Sequence, residues 1–414
     1  MAEQWTVGEH GEFVIGEAQR RRWGLVPGGR VIAAETPHGL LLRPADPPLT
    51  KVYVEPTSHC NLNCRTCVRH SWQEPGGTMA MATYRRLVEG LRAVPTLRKV
   101  SFWGFGEPLL HPDIVAMVSL AGGLGAQTEI ITNGLLLDAA RAKALVQAGL
   151  DSLVFSIDGA SAEAYAEVRA GGDFDLVREN ASALRRARAE SPRHNPEIGI
   201  EFVATRRNVH ELPALRRLAL EIGASFIVVS NVLPYTRELA EETLYDVAVG
   251  LMKARQRNKW QPQIVLPVMD TRWEAAIPLS RLVEQTDGED GLARRVGGNG
   301  AYCKFVGEGS LAVGWDGQAS PCVALMHSYT CFVLGREKQI RRYTVGDVAA
   351  QSVADIWESE GYRRFRARVQ AFEFSPCAHC GGCHLAESNE EDCYGNPFPV
   401  CGDCLWARGA IQCP

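Results

Sequence analysis

The alternating run Val52-Tyr53-Val54 leads into the loop Cys60-Asn61-Leu62-Asn63-Cys64-Arg65-Thr66-Cys67. A strand that empties into such a loop sets three thiols at one strand end, at intervals of four and three. Thiolates are the usual ligands of cubane iron–sulfur clusters, and a loop of this length can wrap three of them around one face. A four-iron cluster takes four ligands, so three local cysteines leave one iron open. An open metal position is where chemistry happens, as at catalytic zinc. Asn61 and Asn63 suit the tight wrap, because Asn enters left-handed backbone conformations more cheaply than most residues. The rival is a structural zinc knuckle, but zinc takes paired Cys-x-x-Cys arms, and no fourth ligand lies nearby.

Outward from that loop, residues 51–232 repeat strand then helix six times. Strands begin near Val52, Lys99, Thr128, Ser152, Ile198 and Phe226, each rich in Val, Ile or Phe. Asp138 caps a helix that stops at Gly149, and Asn208 opens one that stops at Gly223. Repeated βα units build a parallel sheet. The fold class is therefore α/β, a partial (β/α)6 barrel, since six units are too few for eight strands. Chemistry in barrels gathers at the carboxyl ends of the strands. The cysteine loop follows the first strand, Gly104-Phe105-Gly106-Glu107-Pro108 the second, and Thr132-Asn133-Gly134 the third. Ser156-Ile157-Asp158-Gly159 ends the fourth strand and Asn231 the sixth. The glycines at 104 and 106 let the backbone approach a ligand closely.

A chain of 414 residues holds two or three domains, and 46% hydrophobic with 22% charged residues is ordinary globular composition. A net charge of −4 gives no electrostatic reason to expect nucleic acid as a partner. The start, Met1-Ala2-Glu3-Gln4-Trp5, reads as no signal peptide, and no stretch is apolar enough to span a membrane. Thirteen cysteines fall in three groups: 60–67, 303–331, and seven in the last 38 residues. Clustered cysteines without an export signal point to metal in a reducing cytoplasm, not to disulfides.

Residues 1–46 read as a small β-rich unit. Glu12-Phe13-Val14-Ile15-Gly16 precedes a short helix, the turn Pro27-Gly28-Gly29 follows, and Arg30-Val31-Ile32-Ala33-Ala34 and Gly39-Leu40-Leu41-Leu42-Arg43-Pro44 form two strands. Residues 233–300 bridge to the next unit, with a helical stretch at 244–260 and a flexible loop at 287–300. The cysteine-rich end, 301–414, opens with Cys303 and a hairpin turning at Trp315-Asp316-Gly317-Gln318, which brings Cys322 back towards Cys303. Cys377, Cys380, Cys383, Cys393, Cys401, Cys404 and Cys413 follow, with Cys-x-x-Cys steps that signal metal; structural zinc competes on spacing alone.

The Cys-x3-Cys-x2-Cys loop resembles the signature of the radical S-adenosylmethionine (radical SAM) superfamily. That resemblance implies a [4Fe–4S] cluster on Cys60, Cys64 and Cys67, with S-adenosylmethionine chelating the open iron. Gly104, Gly106 and Glu107 resemble the family's GGEP motif, which holds the methionyl amino group, with Phe105 where glycine is usual. Ser156 resembles the hydroxyl that meets the ribose, and Arg169 the arginine that meets the methionyl carboxylate; Asn133, Asp158 and Asn231 are further candidates, and Asn133 and Asp158 could equally cap turns. Thr66 departs from the aromatic residue usual before the third cysteine. The cysteine-rich end resembles the SPASM domain, which binds two auxiliary clusters. This implies Cys303 and Cys322 on one and Cys377 and Cys380 on the other, with Cys383, Cys393, Cys401, Cys404 and Cys413 as further ligands and Cys331 as a non-ligand. Val323 stands where the family can carry an Asp. Residues 1–46 resemble AbrB/SpoVT-like modules, read here as a docking or homodimerising unit. With the ending Cys401-Gly402-Asp403-Cys404-Leu405-Trp406, the whole looks most like the tungsten-cofactor oxidoreductase radical SAM maturases. The resemblance implies reductive cleavage of S-adenosylmethionine, a 5′-deoxyadenosyl radical, and modification of a peptide or protein partner, with electrons from a flavodoxin or ferredoxin. A radical SAM enzyme for a small metabolite, and a non-catalytic iron–sulfur or zinc regulator, are the alternatives.

Overall fold

The computed structural model describes residues 14–25, 30–36, 39–245, 251–254, 263–269, 273–284, 293–295, 302–375, 377 and 383–412. Helix α1 (Glu17–Trp23) stops at Gly24, whose φ of 68° a side chain would resist. Strands β1 (Val31–Thr36) and β2 (Gly39–Pro44) pair as an antiparallel hairpin. Helix and hairpin lie where the sequence places them, while residues 1–13 and the turn at 26–29 fall outside the described residues.

The six expected strands are β3 (Lys51–Val54), β4 (Lys99–Phe102), β5 (Gln127–Thr132), β6 (Ser152–Ser156), β7 (Glu197–Ala204) and β8 (Phe226–Asn231). They are parallel neighbours in sequence order, the arrangement that right-handed helical crossovers impose. The crossovers run through α2 (Met81–Leu91), α3 (Ile114–Gly122), α4 (Ala139–Gln147), α5 (Ala162–Val168), α6 (Phe174–Ala189) and α7 (Leu215–Ile222). Asp138 caps α4 by accepting from the Arg141 N–H at 2.8 Å, and Gly149 (φ 88°) turns the chain into β6. Asn208 opens a 3-10 turn ahead of α7 instead of capping it. Its Oδ1 accepts from the Thr205 N–H, and its Nδ2 donates to the carbonyls of Asp158 and Val203.

The sheet continues past both ends of this set. After α8 (Arg237–Glu241) come β9 (Leu251–Ala254), β10 (Gln263–Val268), α9 (Trp273–Glu284) and β11 (Ala293–Arg295). β10 adds parallel to β8, and β9 and β11 follow antiparallel. Of the helix expected at 244–260, residues 251–254 form a strand, and of the loop expected at 287–300, residues 293–295 do; residues 246–250, 255–260, 287–292 and 296–300 lie outside the described residues. In both cases an available sheet edge outweighs local propensity. On the other side, α10 (Lys304–Gly307) leads to β12 (Ser310–Val313), which pairs parallel with β3, and β13 (Gln318–Ser320) returns antiparallel. Gly317 (φ 83°) makes that turn, and Asp316 Oδ1 accepts from the Gln318 N–H. A second hairpin, β14 (Tyr329–Val333) with β15 (Arg336–Ile340), precedes β16 (Gly346–Asp347), α11 (Val353–Glu358) and α12 (Glu360–Ala371).

One buried apolar core runs under the parallel strands and on beneath α11 and α12. Arg366 of α12 is fully buried; its guanidinium lies over the rings of Trp357 and Tyr362 and reaches Asp46 at 3.3 Å. The segment after β2 is therefore fastened to the cysteine-rich end. Among the described residues no helix is long and apolar enough to cross a membrane.

Candidate functional site

The carboxyl ends of β3 to β8 surround one cavity of about 220 Å³. Cys60, Cys64 and Cys67 share its wall with Gly104, Gly106, Glu107, Asn133, Ser156, Arg169 and Asn231, while the candidate Asp158 stands behind it, paired with Arg169.

The cysteine loop is fixed by its neighbours. The Asn63 and Arg65 N–H groups donate to the carbonyls of Ala170 and Val168, and Arg65 forms a two-armed pair with Glu242. Arg69 donates to the Ser58 carbonyl at 2.9 Å and through Nε to Cys67 Sγ at 3.4 Å. Asn133 Nδ2 donates to Asn61 Oδ1, which ties the end of β5 to the loop. All three thiols are free. Burial pushes Cys60 up and Cys64 to about 11, so a positively charged group is needed to hold them as thiolates. Among the described residues no three Cys, His, Asp or Glu side chains converge on a single ion, whereas a cubane spreads its ligands over four irons.

Glu107 faces the protein. Its carboxylate accepts from Thr132 Oγ1 at 2.6 Å, the Asn133 N–H at 2.8 Å and the Leu109 N–H at 3.0 Å, bracing β4 against β5. What this motif offers the cavity is backbone. A Cβ on Gly106 would stand 2.0 Å from the Thr57 carbonyl oxygen, and one on Gly104 2.5 Å from Glu55 Cγ. Both positions therefore exclude any side chain.

Arg169, with its side chain 11% exposed, pairs with Asp158 at 2.9 Å. Its buried Nε has no hydrogen-bond partner among the described residues, a donor left over for an anionic ligand group. Ser156 Oγ lies 3.5 Å from Glu201 Oε2, its register partner on β7. Burial, then the charge of Asp158, pushes the Glu201 carboxyl up to about 7. The sequence reading missed Glu201, although a carboxylate inside the apolar run Ile198-Gly199-Ile200-Glu201-Phe202 was a usable signal. It also missed the roof. Asn231 Nδ2 donates to the Ala410 carbonyl and the Gln412 N–H to Ser230 Oγ, so residues 405–412 lie across the barrel mouth.

A second cavity, about 60 Å³, is lined by Cys303, Cys322, Cys401 and Cys404 together with Cys331. The hairpin brings Cys322 to Cys303 as expected; the arrival of Cys401 and Cys404 was not read from their spacing. Burial holds Cys322 and Cys401 well above the usual thiol range, and it pushes Cys303 and Cys331 to about 12. Leu233 and Trp406 line both cavities. Cys377 and Cys393 meet separately at Ser375 Oγ, at 3.3 and 3.0 Å. Cys383 is exposed, and Cys380 and Cys413 lie outside the described residues.

A triad of buried His327 and Glu55 with half-buried Glu74 joins the two halves. His327 donates to or accepts from Glu55 at 2.8 Å and Glu74 at 3.1 Å, and its ring stacks on Trp72 at 4.1 Å. The other oxygen of Glu55 accepts from the Phe105 N–H, so the triad holds the Gly-Phe-Gly turn.

Three free thiols, a side-chain-free backbone cradle and an unpaired guanidinium donor on one cavity fit an iron–sulfur cluster with an amino-acid-bearing cosubstrate. Residues 54–193 match the radical SAM superfamily, and residues 303–384 match an iron–sulfur cluster-binding SPASM domain. The chain belongs to the radical SAM/SPASM family and is a radical S-adenosylmethionine enzyme, with [4Fe–4S] clusters and S-adenosylmethionine as its cofactors. It is 31% identical over 375 residues to the tungsten-containing aldehyde ferredoxin oxidoreductase cofactor-modifying protein of Pyrococcus furiosus, covering 88% of this chain and 96% of that one. It is 32% identical over 190 residues to the PqqA peptide cyclase of Gluconobacter oxydans, 46% of this chain and 51% of that one. The fold resembles Streptococcus suis SuiB bound to precursor peptide SuiA, with a TM-score of 0.54 and 17% identity over 81% of this chain and 70% of that one.

Proposed function

We propose that the protein is a maturase that cleaves S-adenosylmethionine and modifies a peptide or protein partner, one connected to a tungsten-dependent oxidoreductase. The single observation that carries this reading is the shared cavity of Cys60, Cys64, Cys67, the Gly104 and Gly106 cradle and Arg169 at the strand ends. Support for the partner comes from the relatives, one named for cofactor modification of a tungsten enzyme and another for cyclising a peptide.

In this reading Cys60, Cys64 and Cys67 hold the core cluster, which when bound supplies the electron for reductive cleavage of the cosubstrate. The carbonyls around Gly104 and Gly106 accept from the methionyl ammonium. Arg169, kept charged by Asp158, receives the methionyl carboxylate. Ser156 and Asn133 orient the nucleoside, and Glu107 acts by holding β4 and β5 in place. Asn231 holds the roof of residues 405–412, which keeps water from the reacting atoms. Cys303, Cys322, Cys401 and Cys404 hold one auxiliary cluster, and Cys377, Cys380, Cys383 and Cys393 the other. Residues 1–46 serve partner recognition or dimerisation, and an electron donor such as a flavodoxin or ferredoxin reduces the core cluster.

Anaerobic reconstitution tests the reading. About twelve irons per chain are expected, with about four lost when Cys60, Cys64 and Cys67 are replaced together by Ala. The reduced protein should release 5′-deoxyadenosine and methionine. A colourless, zinc-loaded protein that leaves S-adenosylmethionine intact would sink it.

A further inference from the structure

Among the described residues, the four-cysteine cavity is walled by thiols and uncharged side chains with two exceptions, Lys338 and Asp403. Lys338 Nζ donates to both Asp403 oxygens at 2.9 and 2.8 Å, and the two side chains are 3% and 5% exposed. Asp403 stands in the turn between Cys401 and Cys404. Lys338 lies on β15, directly across the hairpin from Cys331.

A buried ion pair is a poor way to gain stability, since well-packed apolar side chains of like volume do as well or better. Its charges, however, act strongly on whatever lies beside them where water is excluded. The potential of an iron–sulfur centre follows its net charge and the charges around its sulfurs. Reduction adds one electron and one negative charge to such a centre, with no bond made or broken. A neighbouring carboxylate opposes that step and a neighbouring ammonium favours it.

We propose that Lys338 and Asp403 together set the reduction potential of the centre held by Cys303, Cys322, Cys401 and Cys404. This rests on the reading of those four thiols as cluster ligands. Asp403 is adjacent in the chain to Cys404 and two residues from Cys401, whereas Lys338 faces Cys331, which is not one of the four thiols, so the carboxylate is given the larger weight and the pair as a whole holds the potential down. Lys338 limits how far it falls. Both are positioning residues, since neither is itself a ligand.

The test is a potentiometric titration of the reconstituted full chain, followed by electron paramagnetic resonance without cosubstrate or substrate. The signal lost in Cys303→Ala/Cys322→Ala, along with about four irons, identifies the centre. If that variant keeps all its iron, the four-thiol reading fails, and with it the basis of the proposal. With the signal identified, the expected order of midpoints is Asp403→Asn highest, then Lys338→Met/Asp403→Leu, then wild type, with Lys338→Met lowest. A single variant that strands a charge can fail to fold; the double variant strands none and decides alone. A double variant with full iron and an unchanged midpoint overturns the proposal, as do single variants that shift the same way.

Discussion

Replacing His327 by Gln should lower the thermal midpoint by about 3–6 °C. His327 and Glu55 are 2% and 0% exposed, so replacing the imidazole by an uncharged amide leaves a carboxylate in the core without its cationic partner. Breaking a buried pair in this way costs about 3–5 kcal/mol. The titration of the histidine gives a similar figure. Although burial alone would lower it, the hydrogen bonds from Glu55 and Glu74 raise His327 from 6.5 to about 9. That difference is worth about 3 kcal/mol. Glu74, held down to about 2 against the opposing effect of burial by its hydrogen bonds with His327 and Ser328, reports in part the same interaction and is not added. The raised histidine contributes fully below pH 6.5, and its contribution disappears as pH rises through about 9. The depressed Glu74 contributes above pH 4.5, and that part is lost as pH falls towards about 2. Anaerobic thermal unfolding of wild type and His327→Gln between pH 5 and 10 should show the gap narrowing from pH 6.5 upward, with the histidine's part gone above about pH 9. Cosubstrate affinity should fall as well, because Glu55 no longer steadies the Gly104-Phe105-Gly106 turn. A midpoint within about 2 °C of wild type across that range would refute the reasoning.

Other perturbations follow from single contacts. Gly106→Ala should abolish cosubstrate binding while iron content falls little, because its Cβ would collide with the Thr57 carbonyl; tight binding measured by calorimetry would contradict this. Glu201→Gln should gain on wild type as pH rises from 4.5 through 7, by up to about 3 kcal/mol, since a raised carboxyl pKa costs stability once the group ionises. Equal pH profiles for the two proteins would show that Glu201 ionises freely. A chain starting at Ala45 should keep its iron and unfold like the full protein, whereas one starting at Pro47 loses Asp46 and strands the buried Arg366. Identical melting of the two truncated chains would remove Asp46 from that role.

The strand ends were legible because each motif follows its strand within a few residues. Apolar runs fixed the strands, and the loops after them could point nowhere else. What stayed hidden depends on segments far apart in the chain. Spacing within Cys401-Gly402-Asp403-Cys404 is a local quantity and carries no sign that these thiols join Cys303 and Cys322. His327 stands in no motif, and its two carboxylates lie 272 and 253 residues away. The strand at 251–254 was read as helix because nothing near it in sequence announces the edge of β10 on which it pairs.

The parallel pairing of β12 with β3 also bears on how the protein is made. Thr50 and Gly309, which meet where those strands begin, are 259 residues apart. At ordinary translation speeds β3 waits on the order of tens of seconds for its second neighbour. During that interval the nascent barrel has an unpaired edge of the kind that recruits other chains. The thiols at 60, 64 and 67 are meanwhile reachable from solution, because residues 405–412, which roof them, emerge long after residue 67. Synthesis therefore leaves a window in which iron can be delivered to the barrel before its mouth is roofed, and the roof itself comes from the segment that completes the four-thiol cavity. A cell that makes this protein faster than it delivers iron would accumulate chains closed over an empty loop.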